Sequence, residues 1–312
     1  MNLSVVVATH NQAPLLKESL RALLDQALSK QDYEIVVVDD GSTDDTPAVL
    51  QEFGPHITVV RFPSNRGISA ARNEGIRRAS GKLVIFGDSD IIVRPDYLGW
   101  HLTTHQENGP RVLCRGPVVL VPDVRTALEG PMPHFRTSPA FLDAANASVE
   151  RSVLAQAGLF DEKFPGYGWE DFELGVRLKR LGIRRVFCPQ AVAFHLQQPV
   201  TETNMPYLLR KEEERAKSAV YFYRKHPTPE VRLLIQATPV HRFLYWIQSG
   251  CGALQRENVQ PLAGWLQARG LTGLTDFAVR GVLNRYYLAR LRTLLADGGS
   301  RPQAGDGNHP GK

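Results

Sequence analysis

A chain of 312 residues, 43% hydrophobic and 22% charged, has the make-up of a globular protein with one sizeable core and room for an appendage, not of a fibrous or disordered one. Its net charge of +5 suits a phosphorylated ligand or an anionic membrane surface and falls short of what a nucleic-acid partner would call for. Cys114, Cys188 and Cys251 are widely spaced, without a C-x-x-C or metal-ligand pattern, and read as reduced, packed thiols of a cytosolic protein. The apolar stretch at 3–8 is too short for a signal peptide, and no run approaches the roughly 20 apolar residues of a bilayer span. The expected location is the cytoplasm, with any membrane contact peripheral, at the inner face.

Residues 3–8 read as a buried strand, after which Pro14 opens a helical pattern with Leu15, Leu16, Leu20, Leu23 and Leu24 on one face. Residues 34–38 form a second strand that runs into Asp39-Asp40-Gly41-Ser42-Thr43-Asp44-Asp45-Thr46, and Val49, Leu50 and Phe53 mark a short helix. A third strand at 57–62 precedes Ser64-Asn65-Arg66-Gly67 and a helix through Ala70, Ala71, Gly75 and Ile76. A fourth, Lys82-Leu83-Val84-Ile85-Phe86, passes through Gly87 and stops at Asp88-Ser89-Asp90. Apolar strands alternating with amphipathic helices predict an α/β protein with a mostly parallel sheet flanked by helices.

Ligands of open α/β sheets bind beyond the carboxyl ends of the strands. There this chain delivers Thr9-His10-Asn11, Asp39-Asp40, Asn65-Arg66 and the pair Asp88 and Asp90. Two carboxylates one residue apart offer hard oxygen ligands suited to Mg2+ or Mn2+, with phosphate oxygens completing the shell. A lone D-x-D is equally a turn or a helix cap, so it is the four strand ends together that carry the signal. No G-x-G-x-x-G follows the first strand and no G-x-x-x-x-G-K-[ST] occurs, which argues against a dinucleotide-dependent dehydrogenase and a P-loop NTPase.

In this order VVVATHN (5–11), VVVDDGSTDDT (36–46), NRGISAARNEGI (65–76) and FGDSD (86–90) resemble the nucleotide-sugar half of family 2 glycosyltransferases of the GT-A (Rossmann-like) fold, and the resemblance runs to about His195. It implies a metal-dependent, inverting transferase that moves a sugar from a nucleoside diphosphate sugar, UDP-linked by preference, to a hydroxyl of a saccharide or lipid-linked saccharide, in glycan or polysaccharide biosynthesis. Position by position, it assigns Asp40 to the base, Thr9 and His10 to the nucleoside, and Asp88 with Ser89 to the ribose side. His10 stands where a tyrosine is commoner. Arg72 would face the diphosphate or structure the pocket, and Asp90 with His195 would hold Mn2+ or Mg2+. Asp171 matches the catalytic base, with Glu170 binding acceptor hydroxyls or fixing the loop. Blander roles stand beside these: Asp39 and Asp44 as caps, Arg66 and Arg77 as solvated charges.

Further along, 95–107 reads as a surface helix, 112–121 as a strand pair or one long strand, and the Pro-rich 122–139, with Gly130 and His134, as a ligand-covering loop. The resemblance then implies a strand at 144–148, with Asn146 either lining the donor sugar or satisfying backbone groups, and a helix at 150–158. Leu174, Leu178 and Leu181 repeat at helical spacing and put Asp171 on the same inward face, in the first turn, where an acid would also offset the helix dipole. Tyr167 and Trp169 offer flat faces for a sugar, or simple core. His195 ends the run Val192-Ala193-Phe194.

From Met205 the chain reads as helices at 208–224, 239–255, 259–269 and 277–295. Phe243-Leu244-Tyr245-Trp246 and Tyr286-Tyr287, near Arg242, Arg285, Arg290 and Arg292, suit either a membrane interface or packing on the catalytic domain, with packing preferred. The expected domains are therefore 1–200 catalytic, 201–296 a helical extension and 297–312 a disordered tail. A sugar-phosphate nucleotidyltransferase would need a Gly-rich, Lys-containing loop where Ala8-Thr9-His10-Asn11-Gln12 stands. A catalytically silent carbohydrate-binding scaffold would not need the full set of acids.

Overall fold

The computed structural model describes residues 2–131, 138–196 and 205–297. His134 and all but the first residue of the expected tail lie outside them.

Alternation of β-branched strands with leucine-striped helices produces β1 (Leu3–Thr9), α1 (Ala13–Leu24), β2 (Tyr33–Asp39), α2 (Thr46–Phe53), β3 (Thr58–Arg61), α3 (Ile68–Arg78) and β4 (Leu83–Asp88). There follow β5 (Ile91–Val93), α4 (Tyr97–Asn108), β6 (Val112–Arg115), β7 (Val118–Val121), α5 (Val124–Glu129), β8 (Asn146–Glu150), α6 (Arg151–Ala157), α7 (Glu170–Arg180), β9 (Arg184–Phe187) and β10 (Ala193–Leu196). The remainder is helical: α8 (Met205–Lys225), α9 (Pro229–Leu234), α10 (Pro239–Gln248), α11 (Arg256–Gln267) and α12 (Thr272–Asp297).

Seven strands form one sheet in the order β3-β2-β1-β4-β8-β6-β9, and β5-β10-β7 form a second, smaller one. Pairing is parallel from β3 through β4 and between β6 and β9, while β8 runs antiparallel to both its neighbours. The sheet is thus mostly parallel, with one reversed strand that the apolar pattern could not reveal. β1 is buried along its whole length because β2 and β4 flank it and helices cover both faces. α3 fits closely on β1 through Gly75, where an added Cβ would fall 2.3 Å from Val6 Cγ1.

Several expectations change. Residues 112–121 are a strand pair, but β6 and β7 belong to different sheets, separated at Gly116-Pro117. The Pro-rich stretch is not structureless: it contains α5, whose first turn is closed by Asp123 accepting from Thr126 N at 2.7 Å. β5, β9 and α9 are too short to leave a periodic signal. α4 buries one face, through Tyr97, Leu98, His101 and His105, and leaves Gln106 and Glu107 exposed. Cys114 and Cys188 are buried free thiols, whereas Cys251 is exposed.

The chain divides into two compact units, 1–164 with 169–199 and 165–168 with 200–312. Within the second, α8 lies along α12. Tyr287 is fully buried and donates to Ile235 O (2.8 Å), Arg215 covers its ring at 4.2 Å, and Glu213 binds Arg290 through two bonds of 2.5 and 2.7 Å. In α10, by contrast, none of the residues is buried.

The turn between the two sheets passes close to its neighbours. A Cβ on Gly116 would stand 1.8 Å from Ala191 O and 2.6 Å from Asn146 Nδ2, and a carbonyl cannot rotate away as a side chain can. Gly116→Ala should cost about 1–3 kcal/mol of stability by overpacking, read as a lower denaturant midpoint with an unchanged slope.

Candidate active site

The carboxyl ends of β1, β2 and β4 are in register, Thr9 opposite Asp39 and Ala8 opposite Asp88, so the polar residues that end these strands share one edge of the sheet. Thr9 is buried with its Oγ1 unpartnered. His10 Nδ1 lies 2.8 Å from Asp40 O. Asp40 is itself buried and accepts from Arg66 N (2.6 Å) and Gly67 N (2.9 Å), so it clamps the turn that starts α3, where Gly67 sits at φ 92°. A base contact at Asp40 would use the remaining lone pairs of oxygens already engaged. Asp44 accepts from Ala13 N and Thr46 N, the capping role that was its plainer alternative.

Arg72 projects from α3 and is buried between two acids, with Nη2 2.9 Å from Asp88 Oδ1 and Nη1 2.9 Å from Glu170 Oε1. Burial alone would lower its pKa; Asp88, Glu170 and Asp171 reverse that and hold it above the ordinary guanidinium value. Arg72 thereby joins the end of β4 to the start of α7. Glu170 is correspondingly buried, and its other oxygen, Oε2, has no hydrogen-bond partner.

Asp90 meets His195 by a register that no local pattern encodes. β10 pairs antiparallel with β5, His195 opposite Ile91, and Leu196 N donates to Asp90 O at 3.0 Å. His195 Nε2 then lies 3.3 Å from Asp90 Oδ2, and its Nδ1 is buried without a hydrogen-bond partner. Asp88 joins them: one ligating atom from each of Asp88, Asp90 and His195 falls within 4.8 Å of the others. Ser89, between the two aspartates, is buried. Two carboxylates and an imidazole are a donor set that fits Mn2+ more readily than Mg2+.

At the first turn of α7 three acids have three different fates. Glu173 is fully buried and grips Arg177 through both oxygens, Glu170 is held by Arg72, and Asp171 accepts only from backbone, Phe172 N at 2.8 Å and Ala144 N at 3.4 Å. Asp171 is partly exposed, yet burial of its carboxyl, with Glu170 and Asp143 as like-charged neighbours, pushes its pKa well above the ordinary 3.8 against the pull of Arg72. That is the direction a general base working near neutral pH requires.

Asp143 is the site residue that sequence reasoning missed. It lies just before β8, its pKa raised by burial and by Asp88 although the Ala145 amide, Arg115 and Arg72 pull it down. The only trace in the sequence is an acid inside the apolar Phe141-Leu142-Asp143-Ala144-Ala145. Asn146, by contrast, is no sugar contact: it is fully buried, accepts from Tyr97 OH (3.0 Å) and donates to Pro117 O (2.8 Å) and Ala191 O (2.7 Å). Trp169 is core, packed edge-on to Phe172, and Tyr167 is an exposed ring of the second unit beneath Lys211.

The raised pKa of Asp171 has a defined consequence for stability. The folded carboxyl holds its proton more tightly than the unfolded one, so stability falls as pH rises through the window that opens at the unfolded value near 3.8 and extends upward. Asp171→Asn removes that penalty. The variant should gain in unfolding temperature on its parent as pH rises through this window; two unfolding curves that stay parallel across it would contradict the assigned shift.

Comparison with known proteins bears on the family and the fold. Residues 4–133 match the sequence profile described as glycosyl transferase family 2. The chain is similar to a validoxylamine A glucosyltransferase of Streptomyces hygroscopicus subsp. jinggangensis, 28% identical over 89% of this chain and 71% of that protein. Among solved structures it is similar to the mannosyltransferase PcManGT of Pyrobaculum calidifontis in complex with GDP-Man and Mn2+, at TM-score 0.60 and 20% identity, covering 95% of this chain and 88% of the other. It also resembles S. aureus TarS 1–349 in complex with UDP-GlcNAc, at TM-score 0.57 and 18% identity, covering 94% and 91%. The likeness to glycosyl transferase family 2 thus rests on residues 4–133, and the sheet has the fold of GT-A glycosyltransferases.

Proposed function

We propose that this protein is an inverting glycosyltransferase that takes its sugar from a nucleoside diphosphate donor, UDP-linked by preference, and passes it to a hydroxyl of a saccharide or lipid-linked saccharide. The observation that carries the reading is the Asp88–Arg72–Glu170 bridge, because it holds the Asp88, Asp90 and His195 cluster and the carboxylate of Asp171 in one framework. The solved relatives named for UDP-GlcNAc and for GDP-Man with Mn2+ support a nucleotide-sugar donor and leave the base to experiment.

Asp88, Asp90 and His195 would hold the divalent cation, which when bound supplies Lewis-acid stabilisation of charge on the departing diphosphate. Thr9 and His10 offer polar contacts to the nucleoside beside the turn that Asp40 clamps. Asp171 takes the proton of the acceptor hydroxyl as its oxygen bonds to the anomeric carbon and the bond to the diphosphate breaks on the opposite face. Arg72 does not touch the reacting atoms; it is a positioning residue that keeps Glu170, and with it the first turn of α7, in place.

Two measurements test this. In a thermal-shift screen of nucleoside diphosphates and their sugars, one nucleotide should raise the unfolding temperature in a Mn2+-dependent way, about 2.7 kcal/mol of stabilisation at a hundredfold excess over Kd, and Asp90→Ala should lose the metal-dependent part. A screen in which no nucleotide shifts the transition would reject the reading. With the donor identified, Asp171→Asn should bind it as the parent does while transfer falls at least about 100-fold, the scale of a lost general base. Loss of donor affinity, or retained transfer, would remove Asp171 from the role.

A further inference from the structure

In α10 the amphipathic arrangement is turned outward. Val240, Phe243, Leu244 and Ile247 follow the i, i+3, i+4, i+7 spacing of one helix face, with Trp246 at its flank, and are 64%, 60%, 51%, 47% and 45% exposed in that order. It is the more polar side that meets the rest of the unit: Gln248 donates to Phe277 O at 3.3 Å and is reached by Asn284 at 3.4 Å. Phe277, beside the end of α10, and Leu274 are exposed as well. Leaving this much contiguous apolar surface in water is costly, so the face has an occupant.

Charge identifies it. Between Glu230 and Asp276 the sequence contains four arginines, Arg232, Arg242, Arg256 and Arg269, and the single carboxylate Glu257. A groove of about 810 Å3 beside α10 is bordered by Arg232, Arg242 and Arg292, with Ile235, Leu288 and Leu291 as apolar wall. Among the described residues Arg242 and Arg292 make no ion pair, and Arg242 directly precedes Phe243. The chain's own C-terminal stretch is a poor cover, since 298–312 contains no large apolar residue. A second copy joined face to face across a two-fold axis would bring two like-charged rims together. A lipid headgroup layer satisfies both features at once, with phosphates for the arginines and acyl chains for Phe243, Trp246 and Ile247. No helix among the described residues is long and apolar enough to cross a bilayer, so the contact is with its surface.

We propose that the outward face of α10, with the arginines beside it, seats on the surface of an anionic bilayer. The proposal is independent of the transfer reaction. It is tested by co-sedimentation of the full chain with vesicles of phosphatidylcholine alone and of phosphatidylcholine with about 30% phosphatidylglycerol. Binding is expected to the anionic vesicles, to weaken as salt rises, and to fall at least about tenfold in Phe243→Glu/Ile247→Glu, with a smaller loss in Arg242→Glu. Both substitutions change exposed positions, so an unchanged unfolding temperature accompanies the loss, and Val240→Glu/Leu244→Glu repeats the test on the same face. No binding to anionic vesicles, undiminished binding of both double variants, or a solution dimer that those variants dissolve would overturn the proposal; the last outcome would assign the face to a second copy.

Discussion

The first unit depends on one buried cation. Arg72 is surrounded by acids that repel one another: Asp88 at the end of β4, Glu170 and Asp171 at the start of α7, and Asp143 before β8. Burying such a set is unfavourable unless a positive charge of fixed geometry sits among them, and a planar guanidinium with two arms can hold two carboxylates at once. Breaking a buried pair of this kind by removing one partner typically costs about 3–5 kcal/mol. The same arrangement that stabilises Asp88 and Glu170 leaves Asp171 with backbone partners alone, and so with a proton affinity well above that of an ordinary aspartate. The raised proton affinity of Asp171 and the order around Arg72 are two consequences of one distribution of charge.

The second requirement is a meeting of strands. Asp88 and Asp90 are separated by one residue, but His195 is far along the chain and reaches them only because β10 returns antiparallel beside β5. Gly116 allows this return, since the chain must pass against Ala191 as it leaves the large sheet for the small one. The three donor groups are therefore presented by two sheets, one ending in Asp88 and the other carrying His195 next to Asp90. Strand ends held by a hydrogen-bonded ladder are a stiffer support for such a cluster than loops would be.

The helical unit shows the opposite use of amphipathicity. In α8 and α12 apolar and aromatic side chains such as Phe222, Tyr287 and Leu291 turn inward and are buried. In α10 the same composition faces water. A hydrophobic stripe in sequence states that a face will be covered, and it does not say by what.

Much of the first unit is written locally. Alternation of apolar strands with striped helices determined the α/β class, and the acids that end β2 and β4 marked the edge of the sheet where the site lies, because strand and helix periodicities are properties of a few consecutive residues. The motif segments 5–11, 36–46, 65–76 and 86–90 were legible for the same reason. What only the tertiary structure decided concerns partners distant in the chain. It reversed β8, sent β6 and β7 to separate sheets, and gave Asn146 and Trp169 to the core. It also brought Asp143 among the acids and His195 to Asp90, and turned the apolar face of α10 outward. Each of these follows from which surfaces meet once the elements pack, and contact energies between distant segments have no period along the chain from which they could be read.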